Sequence, residues 1–196
     1  MDHSFTQFAN QITNDPILQQ TLSYLQQQHA LNGNIILFAI WWGQCQHGRL
    51  NKHDYKILLS TIHAWHERVI IALQRLLLTS TAVKNKQLEL QKPISEELTW
   101  AENIERQFIE ETLLKFHSHQ RNPNQQLNDA CHNITHYCNL LQIPITSEDM
   151  KAIIQLLQAS FPDLISNELA ENCETIFKTN LATTHHPFSQ LTLTEM

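Results

Sequence analysis

The stretch that decides the fold is IILFAIWW, residues 35–42, the longest apolar run in the chain. Asn34 precedes it as a candidate helix cap, and glycines at 43 and 48 follow it. Its eight residues fall far short of the ~20 that a membrane-crossing helix requires. Amphipathic helical patterns flank the run, and no alternating strand accompanies it. The run therefore predicts a central helix buried on all sides rather than a buried strand.

Helical periodicity continues on both sides of this run. Asp15-Pro16 is typical of an N-cap followed by the first helical position, and a long amphipathic stripe covers about residues 52–78. Lys92-Pro93 predicts a break, with Ser95 capping the next helix. Beyond residue 120 we expect three more helices, the first carrying the stripe Leu127, Cys131, Ile134, Cys138 and Leu141. The predicted fold class is all-α, a compact multi-helix bundle with a C-terminal helical extension.

Glycine content and net charge narrow the classes of function. The chain has three glycines, none beyond residue 48, which argues against the glycine-rich loops that bind nucleotide phosphates. A net charge of −6 argues against nucleic acids and anionic membranes as partners. No export signal is visible near the first residues, so we expect a cytoplasmic location, reduced cysteines and no membrane contact.

The acidic charge is unevenly distributed along the chain. Residues 1–119 contain ten basic and eleven acidic side chains, a net of −1, whereas residues 120–196 contain three and eight, a net of −5. A polar, proline-containing joint lies at residues 117–124. We therefore predict a helical domain over 1–119, an acidic three-helix extension over 120–180 packed on it, and a flexible tail over 181–196.

Several short motifs occur in an order that resembles a known family. In chain order they are Phe5, Phe8 and Ala9, then Leu25-Gln26, the run from Asn34 to Gly43, Trp65, Arg68-Val69-Ile70, Leu73-Gln74-Arg75-Leu76, and Glu97-Leu98-Thr99-Trp100-Ala101-Glu102. Over about residues 5–115 the chain resembles an uncharacterised bacterial family, catalogued as domain of unknown function 2390. Gln74 departs from it, since an arginine neighbourhood is common there, and the acidic region from 120 lies outside its pattern. The resemblance implies a compact helical fold and brings no established activity.

The candidate binding residues coincide with these landmarks or adjoin them. They are Asn34, Trp65, His66, Arg68, Arg75 and Glu102. The two arginines are seven residues apart and therefore share a helix face, where Glu102 and Glu105 are expected to pair with them in an interhelical salt-bridge ladder. The functional alternative is an anion-recognition face, because arginine favours bidentate contacts with carboxylate or phosphate. His66, beside Trp65, is interpreted as a hydrogen-bonded boundary histidine, with a base or pH-sensitive switch as the alternative.

Cysteines and histidines cluster between residues 131 and 138 in a pattern that suggests zinc. On one helix, Cys131 and Cys138 point within about 20° of each other, whereas His132 and His136 point about 100–140° away. Because one ion cannot collect both pairs, we expect the cysteines in the core and the histidines facing solvent or a groove. The alternative is a metal half-site of two ligands, His132 and His136, completed by His117 or His119.

No motif in the sequence fixes a reaction, a ligand or a cofactor. The leading hypothesis is therefore a non-enzymatic helical protein that presents a helical face to another protein or to a second copy of itself. The alternative is a metal- or anion-binding protein, with an enzymatic role left open, that uses the histidines at 117, 119, 132 and 136 or the two arginines. A third hypothesis is a small-molecule pocket between bundle helices.

Overall fold

The computed structural model describes residues 4–82, 88–112 and 120–183, and the secondary structure within them is helical. The elements are α1 (Phe5–Asn14), α2 (Pro16–His29), α3 (Gly33–Gln44), α4 (Lys52–Trp65), a π-helical segment (His66–Ile70), α5 (Ile71–Ala82), α6 (Leu88–Thr112), α7 (Pro123–Leu140), α8 (Ser147–Ser160) and α9 (Ser166–Thr183). They pack into a multi-helix bundle, which confirms the predicted all-α class. Among these helices, none combines the length and the apolar character that a membrane-spanning segment needs.

The apolar run at 35–42 lies in α3, which is the centre of the bundle, as predicted. Every residue from Gly33 to Ile40 is buried, and so are Trp42 and Gly43. Helices α1, α2, α6, α7 and α8 all pack against α3. Its side chains belong to one continuous hydrophobic core, shared with residues from both halves of the chain. The helix is buried because it has no polar face to expose to solvent.

Polar side chains at the helix starts satisfy backbone N–H groups that have no partner within the helix. Asp15 caps α2, as the sequence predicted. The prediction that Asn34 caps α3 is wrong. Asn32 is the cap, and its Oδ1 accepts from the N–H groups of Asn34 and Ile35 at 2.8 and 3.2 Å. Asn34 is instead the second residue of α3, and its side chain binds α6.

The predicted break at Pro93 is also wrong. The helix α6 continues through this residue, so Ser95 lies inside the helix and not at its cap. A proline inside a helix removes one backbone hydrogen bond and costs about 3 kcal/mol. Packing of α6 against α4 and α5 stabilises the continuous helix despite that cost.

The helices beyond residue 120 pack directly on the first part of the chain. Helix α7 lies along α3, and at Gly43 the two backbones are so near that a Cβ atom would lie 2.6 Å from the backbone N of Ala130. Leu141 follows the end of α7 and is 40% exposed, unlike the rest of its predicted stripe. The buried members of that stripe are Leu127, Cys131, Ile134 and Cys138. The subdivision near residue 120 stays a prediction.

The C-terminal helix is longer than the sequence pattern suggests. Helix α9 continues to Thr183, into the first residues of the predicted tail. The remainder of that tail, residues 184–196, lies outside the described residues. Helix α9 packs on α7 and α8, with Leu169, Cys173 and Phe177 buried.

A pair of antiparallel helices extends from the bundle, and we call its residues 66–80 and 90–101 the arm. Within the described residues, α5 packs against α6 and the π-helical segment. The C-terminal half of α6 reaches the core, where Ala101 and Ile109 are buried. The amphipathic stretch predicted over residues 52–78 forms three elements in the structure, because the π-helical segment lies between α4 and α5.

Candidate interaction site

A buried carboxylate, Glu105 of α6, is the centre of a polar network at the base of the arm. Its side chain is 1% exposed. Asn32 Nδ2 donates to its two oxygens at 3.1 and 3.2 Å, and Asn34 Nδ2 donates to Oε2 at 2.7 Å. His66 Nδ1 lies 2.9 Å from Oε1. The interior tolerates this carboxylate because both oxygens are hydrogen-bonded.

The hydrogen-bond partners of His66 favour the tautomer with a hydrogen on Nδ1. An ionised carboxylate only accepts hydrogen bonds, so Nδ1–H of His66 donates to Glu105. Asn32 Nδ2 also lies 2.9 Å from His66 Nδ1. With the hydrogen on Nδ1, both of these atoms are donors and do not bond to each other, and Asn32 Nδ2 donates to Glu105 instead. His66 is therefore a hydrogen-bonded histidine at the edge of the core, with its ring 16% exposed.

Arg106 extends the network towards α1. Its Nε donates to Asn34 Oδ1 at 2.8 Å, and Nη1 donates to Asn10 Oδ1 at 2.6 Å and to Asn103 Oδ1 at 3.1 Å. Its Nη2 lies 4.0 Å from a carboxylate oxygen of Glu102. Burial lowers the pKa of the Arg106 guanidinium and raises the pKa of the Glu102 carboxyl, because each charge loses hydration.

The network contains half of the predicted binding set, namely Asn34, His66 and Glu102. The predicted salt-bridge ladder is wrong, because Glu105 binds two asparagines and His66 and not an arginine of the long helix. Sequence reasoning missed Asn32 and Arg106. The available signal for Arg106 was its position four residues after Glu102, on the same face of α6.

Trp65 and His66 are adjacent in sequence, and both contact α6. Trp65 Nε1 donates to the backbone O of Ala101 at 2.9 Å, and its ring meets Phe108 edge-to-face at 5.7 Å. The π-helical segment begins at His66. Such segments add one residue to a helical turn and are frequent at functional sites. Together with the Glu105 network, these contacts fix the base of the arm to the bundle.

The arm carries an open groove of about 300 Å³ between α5 and α6. Its lining is mostly apolar with one charged residue from each side: Arg68, Val69, Ala72 and Leu73 on one side, and Glu97, Trp100 and Ala101 on the other. Leu76, Leu90 and Trp100 are each 55% exposed. Of these three side chains, Trp100 lines the groove, and the other two lie elsewhere on the arm.

The two arginines of the predicted binding set lie on the arm and not in the buried network. Arg68 and Arg75 are both exposed. Across the described ranges, no carboxylate lies within 4 Å of either guanidinium.

The predicted metal half-site is described only in part. His132 and His136 are half-buried on α7, and burial lowers the pKa of both imidazoles. His117 and His119 lie outside the described residues. Within the described ones, no group of three or more histidine, cysteine or acidic side chains has an arrangement that could hold a metal ion. The histidine half-site stays a prediction.

The cysteines of this segment lie in the core, as expected. Cys131 and Cys138 are buried thiols on α7, and burial raises the pKa of Cys138 to about 12. Cys131 Sγ lies 3.2 Å from Sγ of Cys173 on α9. The side chains of Cys131 and Cys173 pack in the hydrophobic core. This position is typical of cysteines that act as small apolar residues and not as zinc ligands.

Comparison with known proteins identifies the family of the chain. Searches of the curated proteins and of the solved structures found no match. The model of one family, described as a protein of unknown function (DUF2390), matches residues 5–111, more than half of the chain. This range covers α1 to α5 and nearly all of α6, and therefore the buried network and the arm. The chain belongs to the DUF2390 family of proteins of unknown function.

Proposed function

We propose that this protein is a non-enzymatic helical interaction module and that the arm is its contact surface. The observation that carries the proposal is the exposure of Leu76, Leu90 and Trp100 on one helix pair, where Trp100 also lines an apolar groove. Burying such side chains against a partner is favourable by roughly 25 cal/mol per Å² of apolar surface. Exposed tryptophan is also the residue type that most often dominates binding energy in protein interfaces.

The way in which the arm is anchored supports this proposal. The Glu105 network and the Trp65–Ala101 hydrogen bond hold the base of the arm against the bundle. A surface that is already ordered before binding loses less conformational entropy when a partner docks. In this proposal the buried polar network positions the groove, and the groove makes the contact.

Charge and cysteine chemistry support the remaining parts of the proposal. The net charge of −6 disfavours a nucleic acid as the partner, so we propose a protein surface. The four cysteines are thiols, which is the form that a reducing compartment maintains. A cytoplasmic location in a bacterial cell therefore belongs to the same proposal.

Site-specific photo-crosslinking in the source cells tests the interaction. A photoreactive amino acid placed at Leu76 or Leu90 is expected to give a discrete crosslinked protein band. The matched controls are Ile17 and Ile165, which are 63% and 65% exposed but lie on α2 and just before α9. The proposal fails if the arm positions give no discrete product, or if the control positions give the same one.

Anion recognition is the second candidate, since Arg68 and Arg75 have no ion-pair partner among the described side chains. Calorimetric titration with inorganic phosphate tests it, with the double variant Arg68→Ala/Arg75→Ala as the comparison. Saturable binding that the double variant loses would favour anion recognition over protein docking.

The metal alternative is tested by metal analysis of untagged protein, where absence of zinc, nickel and iron counts against it.

A further inference from the structure

The groove on the arm has opposite charges on its two sides. On one side of the arm, the described charged side chains of α5 and the π-helical segment are Glu67, Arg68 and Arg75. All three are exposed, and their net charge is +1. The part of α6 in the arm carries Lys92, Glu96 and Glu97, a net of −1. Lys92 and Glu96 lie 3.9 Å apart as an exposed pair, so Glu97 is the acidic group beside the groove that is left for a partner.

Two contacts set the register between the antiparallel helices of the arm. Near its base, Trp65 Nε1 donates to the backbone O of Ala101, and further along, Gln91 Nε2 donates to the backbone O of Ser80 at 3.4 Å. Glu97 lies between these two levels. It is therefore level with the junction of the π-helical segment and α5, at a height between the two exposed arginines and closer to Arg68.

We propose that a second copy of this chain docks on the arm about a two-fold axis that runs along it. This inference rests on the proposed function and names its partner. Rotation about that axis places α5 of one copy over α6 of the other, at the same height. Arg68 and Arg75 of each copy then flank Glu97 of the partner subunit, and this contact occurs twice, as an isologous interface requires.

The apolar side chains fit the same arrangement. Trp100 is at the base of the arm, close to the level of Val69 on the opposite side of the groove. In the dimer, the Trp100 ring of each copy covers the α5 side of the groove in the partner subunit and is removed from solvent. Two such helix pairs form a four-helix bundle, in which apolar residues face inward and the charged residues lie at the rim.

Charge reversal distinguishes this interface from other modes of association. The full chain is measured by analytical ultracentrifugation over a concentration series, with Arg68→Glu and Glu97→Arg as single variants. Each variant places like charges together at both symmetric contacts, so self-association is expected to weaken by at least about tenfold. An equimolar mixture of the two variants is expected to dimerise again, because the two substituted positions then carry opposite charges and the second contact keeps its native Arg68 and Glu97. Arg75 beside the substituted position 97 is the one like-charged neighbour that remains.

Matched controls separate the interface from general charge effects and from misfolding. Lys56→Glu reverses an exposed charge on α4, away from the arm, and is expected to dimerise as the unaltered chain does. Far-ultraviolet circular dichroism of each variant is expected to match the unaltered chain, since all three positions are exposed.

Two outcomes would overturn the inference. The first is a chain that stays monomeric at its highest soluble concentration. The second is a mixture that fails to recover the dimer lost in the single variants. If the chain is monomeric but Leu76 crosslinks to a different protein, this inference fails and the proposed function stands. If no crosslink forms either, both fail.

Discussion

Glu105 shows how one buried charge organises its surroundings. Its carboxylate is sealed from solvent and is reached by donors from α3 and from the π-helical segment. A buried ion of this kind adds little stability beyond what an apolar residue would add, but removing it leaves its partners unsatisfied. The network therefore specifies one geometry for the base of the arm more than it strengthens the fold.

We expect Glu105→Ala to lower the free energy of unfolding by about 3–5 kcal/mol, since Asn32, Asn34 and His66 lose a shared acceptor. Urea unfolding followed by circular dichroism measures the change. Glu102→Gln is the control, because Glu102 is 26% exposed and lies 4.0 Å from its cation. A loss of stability no greater than that of the control would contradict the assigned role of Glu105.

Asp149 provides a stability term that depends on pH. Burial alone would raise its pKa, but hydrogen bonds from Thr146 and from His29 outweigh that effect and lower it below its ordinary value of 3.8. Thr146 N and Oγ1 both donate to Oδ2 at 2.8 Å, and His29 Nε2 lies 2.9 Å away. A lowered folded-state pKa stabilises the fold above the ordinary value, and this contribution is lost as the pH falls through the lower one.

Asp149→Asn is therefore expected to cost about 1–2 kcal/mol at neutral pH and to flatten the loss of stability below about pH 4. Urea unfolding between pH 7 and pH 2 measures both effects. Glu148→Gln, a neighbouring exposed position in the first turn of α8, is expected to retain the acid slope of the unaltered chain. The interpretation is wrong if the two variants have the same pH dependence.

At the scale of helices, the contact between α3 and α7 depends on a missing side chain. A Cβ atom at Gly43 would lie 2.6 Å from the backbone N of Ala130 and 2.9 Å from its Cα and Cβ atoms. Backbone atoms of a packed helix cannot move aside as the end of a flexible side chain can. Glycine at this position therefore sets the spacing of the two central helices.

Gly43→Ala is expected to destabilise the protein by about 1–3 kcal/mol, although alanine is the better helix former by about 1 kcal/mol. The control is Gly33→Ala, where the nearest atoms belong to the flexible Gln26 side chain at 2.9 Å. Thermal unfolding of both variants measures the difference. Equal or higher stability of Gly43→Ala would show that α3 and α7 can separate without cost.

At the scale of the whole molecule, α7 completes the interior of the part that precedes it. Asn133 Oδ1 accepts from the backbone N of Leu50 at 2.7 Å, and its Nδ2 donates to the backbone O atoms of Ala39 and Gly48. Tyr137 OH accepts from the backbone N of Asn32 at 3.1 Å. Without α7 these buried backbone groups lose their partners, and a face of α3 is exposed.

A fragment of residues 1–119 is therefore expected to lack a cooperative unfolding transition, although it contains the range that the family model matches. Thermal circular dichroism and the amide dispersion of a nitrogen–proton correlation spectrum measure this against the full chain. A folded, cooperative fragment would instead support the predicted domain over residues 1–119 as an independent unit.

The sequence by itself determined the helical class, the buried central helix and the cap at Asp15. These follow from local information, namely the spacing of apolar residues and the preference of short polar side chains for helix starts. It also predicted the buried cysteine stripe of α7, because that periodicity records which face of a helix is apolar. The same rules failed at Pro93, where packing stabilises a helix that local preference would end.

Only the tertiary structure decided which polar residues meet. Asn32, His66 and Glu105 are far apart in the chain, and no spacing rule relates a helix cap to a carboxylate on another helix. The divided helix at His66 and the arm with its exposed Trp100 also depend on which elements pack together. Amphipathic patterns predict that a face is buried, but they do not identify the helix that buries it, because every apolar stripe can pack against many others.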